Sequence, residues 1–236
     1  MIRIYVAGPL DSHTDLTLDA DRSHYLTRVL KLRAGDAIVC FDGTGREYAA
    51  RVADPTPKAC TLAVARIVRE MHAPGFELHL AQALVKTDLD RVIQKATELG
   101  VTDLWFLTTD RTEVRTHPFA RWERIAQSAA EQCGRLYLPR LHTTRSVADF
   151  LPSAAKSFRK LILTPGAPPL PNSGVAQNTC LLVGPEGGWT ANEQEAATEQ
   201  GFSATGLGAL TLRATTAGIT AISALRQSWG WIGPEG

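Results

Sequence analysis

A strand that empties into glycines and restarts as a helix constrains this chain more than any other segment. Over Leu181–Phe202 the sequence reads LVGPEGGWTANEQEAATEQGF. The apolar run before Gly184 predicts a buried strand. The glycines of Gly184-Pro185-Glu186-Gly187-Gly188 let the backbone turn sharply and approach a ligand closely, and Pro185 stiffens the turn. Thr190 and Glu193 stand in the T-x-x-E spacing of a capping box, so a helix starts near Ala191, and Gly201 stops it. In open α/β proteins a loop at the C-terminal end of a buried strand is the usual seat of a small ligand. The same residues also make a tight strand-to-helix turn that binds nothing.

On either side of a linker at Met71-His72-Ala73-Pro74-Gly75 the patterning differs. Before it, short strands dominate: Ile2–Val6, a hairpin of Asp36–Phe41 and Glu47–Val52 around Asp42-Gly43-Thr44-Gly45, and Thr61–Val68, with one helix over Asp21–Leu30. This spacing predicts a small barrel. After it, strands alternate with helices. Phe76–Ala83, Val101–Leu107, Leu138–His142, Leu161–Thr164, Thr179–Val183 and Ala204–Leu207 read as strands. Asp88–Leu99 (capped by Thr87), Pro118–Cys133, Val147–Ala155, Ala191–Gln200 and Thr215–Ser228 read as helices. That alternation predicts a mainly parallel sheet covered by helices. Three of its strands end in glycine-bearing loops, Thr164-Pro165-Gly166, Gly184–Gly188 and Leu207-Gly208, and together these can build one pocket from backbone groups.

Composition excludes several classes. A hydrophobic share of 44% with 21% charged residues describes a globular chain. No apolar run reaches the roughly 18 residues of a membrane span, and the first residues lack the basic-then-apolar pattern of a secretory signal. Neither G-x-G-x-x-G, nor a Walker A sequence, nor H-E-x-x-H occurs. Cys40, Cys60, Cys133 and Cys180 are scattered, with no C-x-x-C and no accompanying histidine cluster. They read as buried core thiols of a cytoplasmic protein, not as a metal site or disulfide framework. The net charge of +1 says little, but Arg22–Gly35 holds Arg22, Arg28, Lys31 and Arg33 and no acid. Such a stretch either tracks a phosphate backbone or is a solvated helix face.

Taken together, several short motifs resemble the RsmE family, the ribosomal RNA uridine-N3 methyltransferases of the SPOUT class. They are His24-Tyr25-Leu26, Val29-Leu30-Lys31-Leu32, Gly35-Asp36, Phe41-Asp42-Gly43, Gln82-Ala83-Leu84-Val85-Lys86, the run Gln94–Val101, Arg111, Arg121-Trp122, Glu131–Arg135 with Pro139, Gly184–Gly188, and Leu212-Arg213. Their order and spacing cover nearly the whole chain. The resemblance implies an α/β protein with an N-terminal PUA-like small β-barrel over residues 1–72 and a C-terminal SPOUT α/β domain with a trefoil knot over 73–236. It implies a cytoplasmic homodimer that binds S-adenosylmethionine, needs no metal, and methylates N3 of a specific uridine in 16S rRNA of the small ribosomal subunit. The cofactor would be held by Thr164, Gly166, Val183, Gly184, Pro185, Glu186, Gly187, Gly188, Leu207, Gly208, Leu212 and Thr216.

Arg213 is the first candidate for stabilising charge on the uridine carbonyls; a helix-start salt bridge or phosphate contact is the plainer alternative. Glu186 either accepts the proton or is a turn carboxylate bonded to nearby amides. Arg22, Arg28, Lys31, Arg33, Lys86, Lys95, Arg111, Arg124 and Arg135 are candidate RNA contacts. One departure stands out. Where the family usually shows an R-T-E-T-A-like run, this chain has Arg213-Ala214-Thr215-Thr216-Ala217, so Thr215 replaces the usual acid. If that acid is a catalytic base or holds a key arginine, this chain is weaker or works differently; if it only caps the last helix, threonine can substitute. Another SPOUT RNA methyltransferase, a non-catalytic rRNA-binding assembly factor and a metabolite-binding α/β protein are the rival readings.

Overall fold

The computed structural model describes residues 1–113 and 118–231. In chain order its strands are β1 (Arg3–Tyr5), β2 (Asp15–Thr17), β3 (Ala37–Phe41), β4 (Arg46–Asp54), β5 (Thr61–Glu70), β6 (Leu78–Ala83), β7 (Asp103–Thr108), β8 (Arg140–Ser146), β9 (Arg159–Leu163), β10 (Thr179–Val183) and β11 (Ser203–Thr205). Its α-helices are α1 (Ala20–His24), α2 (Leu89–Glu98), α3 (Phe119–Cys133), α4 (Val147–Phe150), α5 (Ala191–Glu199) and α6 (Ala214–Ser228). They form two compact units, one of residues 1–73 and 127–138, the other of residues 74–126 and 139–236.

The first unit is a five-stranded sheet in the order β1-β3-β4-β5-β2. Ile4, Ile38, Cys40, Tyr48, Val52, Leu62 and Leu26 fill its core. Two features depart from the sequence expectation. The strand β2 is three residues long with only Leu16 turned partly inward, too short to show alternation. The expected helix over Asp21–Leu30 is α-helical only to His24. Tyr25–Val29 widens into a π-helical turn, closed by Leu30 N–H donating to Tyr25 O at 2.9 Å and by Lys31 at φ 55°. This wider turn leaves Tyr25 and Val29 exposed while Leu26 is fully buried.

The second unit is a six-stranded sheet, β11-β9-β10-β6-β7-β8, and every pairing in it is parallel. Strand residues alternate between two cores, as the pleat requires. Leu80, Leu104, Leu161 and Leu181 meet Val92, Ile93, Trp122 and Ile222 on one face. Ala81, Leu107, Ile162 and Leu182 meet Phe150, Trp189, Ala197 and Phe202 on the other. Helices therefore cover both faces, as a parallel sheet demands. The chain leaves β6 toward β7 and β8, then returns on the other side through β9, β10 and β11. The border of β6 and β10 is thus a topological switch point, where open α/β sheets bind ligands at their C-terminal ends.

Two helix starts differ from expectation. The cap of α2 is Asp88 and not Thr87. Helix α6 begins one residue earlier than expected, with Arg213 at its cap and Thr215 inside the first turn.

Candidate functional site

The turn after β10 is held from four sides. Gly188 N–H donates to Pro185 O at 2.9 Å and closes it. Thr190 and Glu193 make the reciprocal capping box that their spacing predicts. Trp189 Nε1 donates to Leu163 O at 3.2 Å, tying the turn to the end of β9. Across the sheet, the backbone N–H of Lys86 donates to Glu186 Oε1 at 3.1 Å. Glu186 is therefore a latch between two strand ends, in keeping with its reading as a turn carboxylate.

The segment after β11 runs close against the loop after β9. Gly206 N–H donates to Pro168 O at 2.7 Å, and Leu170 N–H returns a bond to Gly206 O at 3.2 Å. A side chain at Gly206 would collide with Ala167 O, so only glycine allows this approach.

These three strand ends, the loop after β6 and the start of α6 enclose one cavity of about 560 Å³. Of the residues expected to hold a cofactor, Thr164, Val183, Gly184, Pro185, Glu186, Gly188, Leu207, Gly208 and Leu212 line it, and so does Arg213. Gly166, Gly187 and Thr216 are not part of its lining. Gly187 turns outward, where a Cβ would meet Arg111 Cβ at 3.1 Å, and Thr216 lies exposed on the first turn of α6. Thr87, Asp88, Trp189, Gln194, Thr205, Gly206, Leu210, Thr211 and Thr215 also line the cavity. No local motif marks most of them, because they converge only when distant strand ends come together. Thr164 Oγ1 is buried and has no hydrogen-bond partner, so the wall offers an unused polar atom.

Thr215 does not cap α6. The cap is Arg213, whose side chain makes no capping bond and whose carbonyl accepts from Thr216 and Ala217 N–H, both at 2.9 Å. The capping account of Thr215 is therefore corrected: it lies inside the first turn of α6 and is a residue of the cavity lining.

The candidate RNA contacts fall into two groups. Arg28, Lys31 and Arg33 are exposed on the first unit. The others are engaged. Arg22 pairs with Glu131 at 2.8 Å and Gln127 at 2.8 Å, Lys86 with Glu113 at 2.5 Å, and Lys95 with Glu98 at 2.9 Å. Arg111 Nη1 donates to Gly187 O at 2.7 Å. Arg124 Nε reaches Ala120 O at 3.4 Å, and Arg135 also has a partner.

At the N-terminal ends of the strands, away from the cavity, Asp103 is almost fully buried and sits in a charged network. Arg140 grips it with Nε and Nη2 at 2.9 Å each. His142 Nε2 lies 2.8 Å away and His79 Nε2 3.1 Å away. Burial alone would raise this carboxyl's pKa; hydrogen bonds from His142, His79 and Arg140 outweigh it and hold the group well below the usual carboxylate range. Glu77, His79 and Asp103 are close enough to share an ion, but Arg140 already occupies both Asp103 oxygens.

Cys40, Cys60 and Cys180 are buried as expected, whereas Cys133 at the end of α3 is exposed, a correction to the core reading. Burial pushes the Cys40 and Cys180 thiols up to about 12. Among the described residues no helix is long and apolar enough to cross a membrane.

Comparison with known proteins agrees with this architecture. A family model described as an RNA methyltransferase domain matches residues 72–226. A second, described as an RNA methyltransferase PUA domain, matches residues 18–65. The chain is 33% identical to ribosomal RNA small subunit methyltransferase E of Synechocystis sp., over 94% of this chain and 76% of the relative. It is 27% identical to the protein of the same name in Buchnera aphidicola, over 97% and 94%. The crystal structure of ribosomal RNA small subunit methyltransferase E from Neisseria gonorrhoeae bound to S-adenosyl methionine superposes with a TM-score of 0.89 at 30% identity, covering 97% of this chain and 98% of that one. A methyltransferase of Legionella pneumophila in complex with the cofactor SAM gives 0.89 at 30%, covering 96% and 97%.

Proposed function

This chain belongs to the RNA methyltransferase family, and from that premise we propose that it transfers the methyl group of S-adenosylmethionine to N3 of a specific uridine in 16S rRNA of the small ribosomal subunit. The observation that carries the reading is the cavity at the switch point, with Arg213 on its wall. The residues there fit the methyl donor. Leu163, Val183, Trp189 and Leu207 offer apolar walls, and Thr164 Oγ1 is a buried polar atom in want of a partner. Thr164, Val183, Gly184, Pro185, Gly188, Leu207, Gly208 and Leu212 would hold it.

When bound, S-adenosylmethionine supplies a methyl group activated by positive charge on sulfur. The protein's own work is then alignment, which can be worth roughly 7–11 kcal/mol, exclusion of water, and management of charge and proton on the uridine. Arg213 is assigned to the carbonyl oxygens beside N3, where a guanidinium stabilises negative charge as in an oxyanion site. N3 lies on the base-pairing edge, so the uridine is turned out of any pairing before it reacts. Arg28, Lys31 and Arg33 orient the RNA through phosphate contacts and carry no sequence information.

The same reading places the PUA-like domain at residues 1–72 and the catalytic domain at 73–236, with a trefoil knot, in a cytoplasmic homodimer. The test is methyl incorporation from labelled S-adenosylmethionine into small subunits that lack uridine-N3 methylation, followed by nucleoside mass analysis. N3-methyluridine is the expected product. A different methylated nucleoside refutes the assignment of target, and no product with cofactor bound refutes the enzyme reading.

A further inference from the structure

We propose that the carboxylate of Asp88 takes the proton from N3 of the acceptor uridine. The proposal rests on the function proposed above.

Asp88 follows β6 and is the cap residue of α2. Aspartate at a helix cap ordinarily turns its side chain onto the first free N–H groups of the helix. Here it does not. Its backbone is left-handed, at φ 65° and ψ 13°, and no side-chain capping bond forms. The N–H groups of Arg91 and Val92 are instead satisfied by the Asp88 carbonyl, at 3.0 and 3.2 Å. No capping bond engages the carboxylate, and Asp88 is an exposed residue of the cavity lining.

Among the described residues the cavity lining includes three ionisable ones: Asp88, Glu186 and Arg213. Glu186 already accepts from Lys86 N–H at 3.1 Å. Nearby charges outside the wall are Lys86, paired with Glu113, Asp90, paired with Arg121, and the exposed Arg91 three residues along α2. Among the described residues nothing pairs with the side chain of Asp88 or of Arg213, one anion and one cation of the same cavity lining. That is the complement an imide needs: the cation faces the carbonyl oxygens that gain negative charge, and the anion faces the departing proton.

The step balances. The bond between the methyl carbon and the donor sulfur breaks, leaving its electron pair on sulfur. A bond forms from N3 to the methyl carbon. The N3–H bond gives its pair back to the ring and its proton to Asp88, which later releases it to water. No oxidant, reductant or metal takes part. The proton leaves as methyl transfer proceeds, and a cation at the carbonyl oxygens stabilises the negative charge this places on them, which brings N3–H within reach of a carboxylate base.

Asp88→Asn tests this cleanly, since asparagine also tolerates the left-handed region and nearly preserves volume. The expected result is a loss in kcat of about a hundredfold or more. Calorimetric affinity for S-adenosylmethionine and the melting temperature should stay at wild-type values. The residual rate of the variant should rise with pH, roughly tenfold per unit as hydroxide replaces the lost base, where the wild type levels off. Asp88→Glu should recover part of the loss. A variant kcat within about threefold of wild type, or cofactor affinity falling in step with kcat, overturns the proposal while N3-methyluridine from the wild type leaves the functional reading intact. Wild-type protein that binds the cofactor and yields no N3-methyluridine overturns both.

Discussion

Arg111 Nη1 donates to the carbonyl oxygen of Gly187 at 2.7 Å and, more weakly, to that of Trp189 at 3.4 Å. A cation on the loop after β7 thus braces the backbone of the turn after β10. This geometry supports a bracing role for Arg111 and for Gly187, whose carbonyl takes the bond. Arg111→Ala is expected to weaken S-adenosylmethionine binding about tenfold, or ~1.4 kcal/mol, by loosening that turn. Its effect on RNA affinity should be small. Calorimetry with the cofactor and a filter-binding titration with RNA separate the two. Unchanged cofactor affinity with reduced RNA affinity would return Arg111 to the phosphate contacts.

Gly206 is expected to be the least replaceable residue of the cavity. Its N–H and carbonyl are both bonded to the loop after β9, and the position of its missing Cβ is already taken by Ala167 O. Gly206→Ala forces one backbone segment off another, an overpacking cost of about 1–3 kcal/mol, and should open the cavity as well. Gly75, where a Cβ meets nothing within 4 Å, is the control. Urea unfolding of both variants decides it: a Gly206→Ala midpoint equal to that of Gly75→Ala would mean the loops separate freely.

Much of this was legible in the chain, and the misses share a cause. Thr190 and Glu193 announce their capping box because both partners lie within one helical turn. The glycines after three apolar strands announce the loops that meet at the cavity for the same local reason. Asp88 and Thr215 were misjudged because a helix cap is set by backbone dihedrals, and neither composition nor periodicity records a left-handed aspartate or a cap shifted by two residues. The Asp103 network was invisible, since His79, Arg140 and His142 reach it from the two strands that flank β7, whose adjacency is a matter of topology. Arg22 looked like a free cation beside Arg28; its partner Glu131 lies 109 positions away.

Asp103 gives a pH signature of stability. Its carboxyl is held well below its unfolded value by His142, His79 and Arg140, against the effect of burial. A depressed carboxyl pKa stabilises the fold fully above the unfolded value, near 4. That contribution is lost as pH falls below it toward the folded value. Wild-type stability should therefore drop below about pH 4 more steeply than that of Asp103→Asn. At pH 7 the variant should be less stable by about 1.5–3 kcal/mol, the range for hydrogen bonds to a charged group. Urea unfolding from pH 3 to 7 measures both, and parallel curves for the two proteins would show that Asp103 is not titrating across the transition.

Arg213 separates backbone from side chain unusually well. Its carbonyl starts α6 by accepting from Thr216 and Ala217, while its side chain makes no capping bond and stands on the cavity wall. Arg213→Ala therefore removes the guanidinium and keeps the helix start. If the guanidinium acts on the uridine carbonyls as charge develops, kcat should fall by about 10²–10³-fold, the usual cost of losing one oxyanion donor. Cofactor affinity should hardly move. Arg213→Lys keeps the charge and loses the planar fork, so it should recover only part of the rate. Single-turnover methylation alongside calorimetry with S-adenosylmethionine gives the two numbers separately. Equal losses in rate and cofactor affinity would move Arg213 from the uridine to the cofactor. A large loss of rate alone, with lysine intermediate, would fix the guanidinium on the side of the cavity that meets the base.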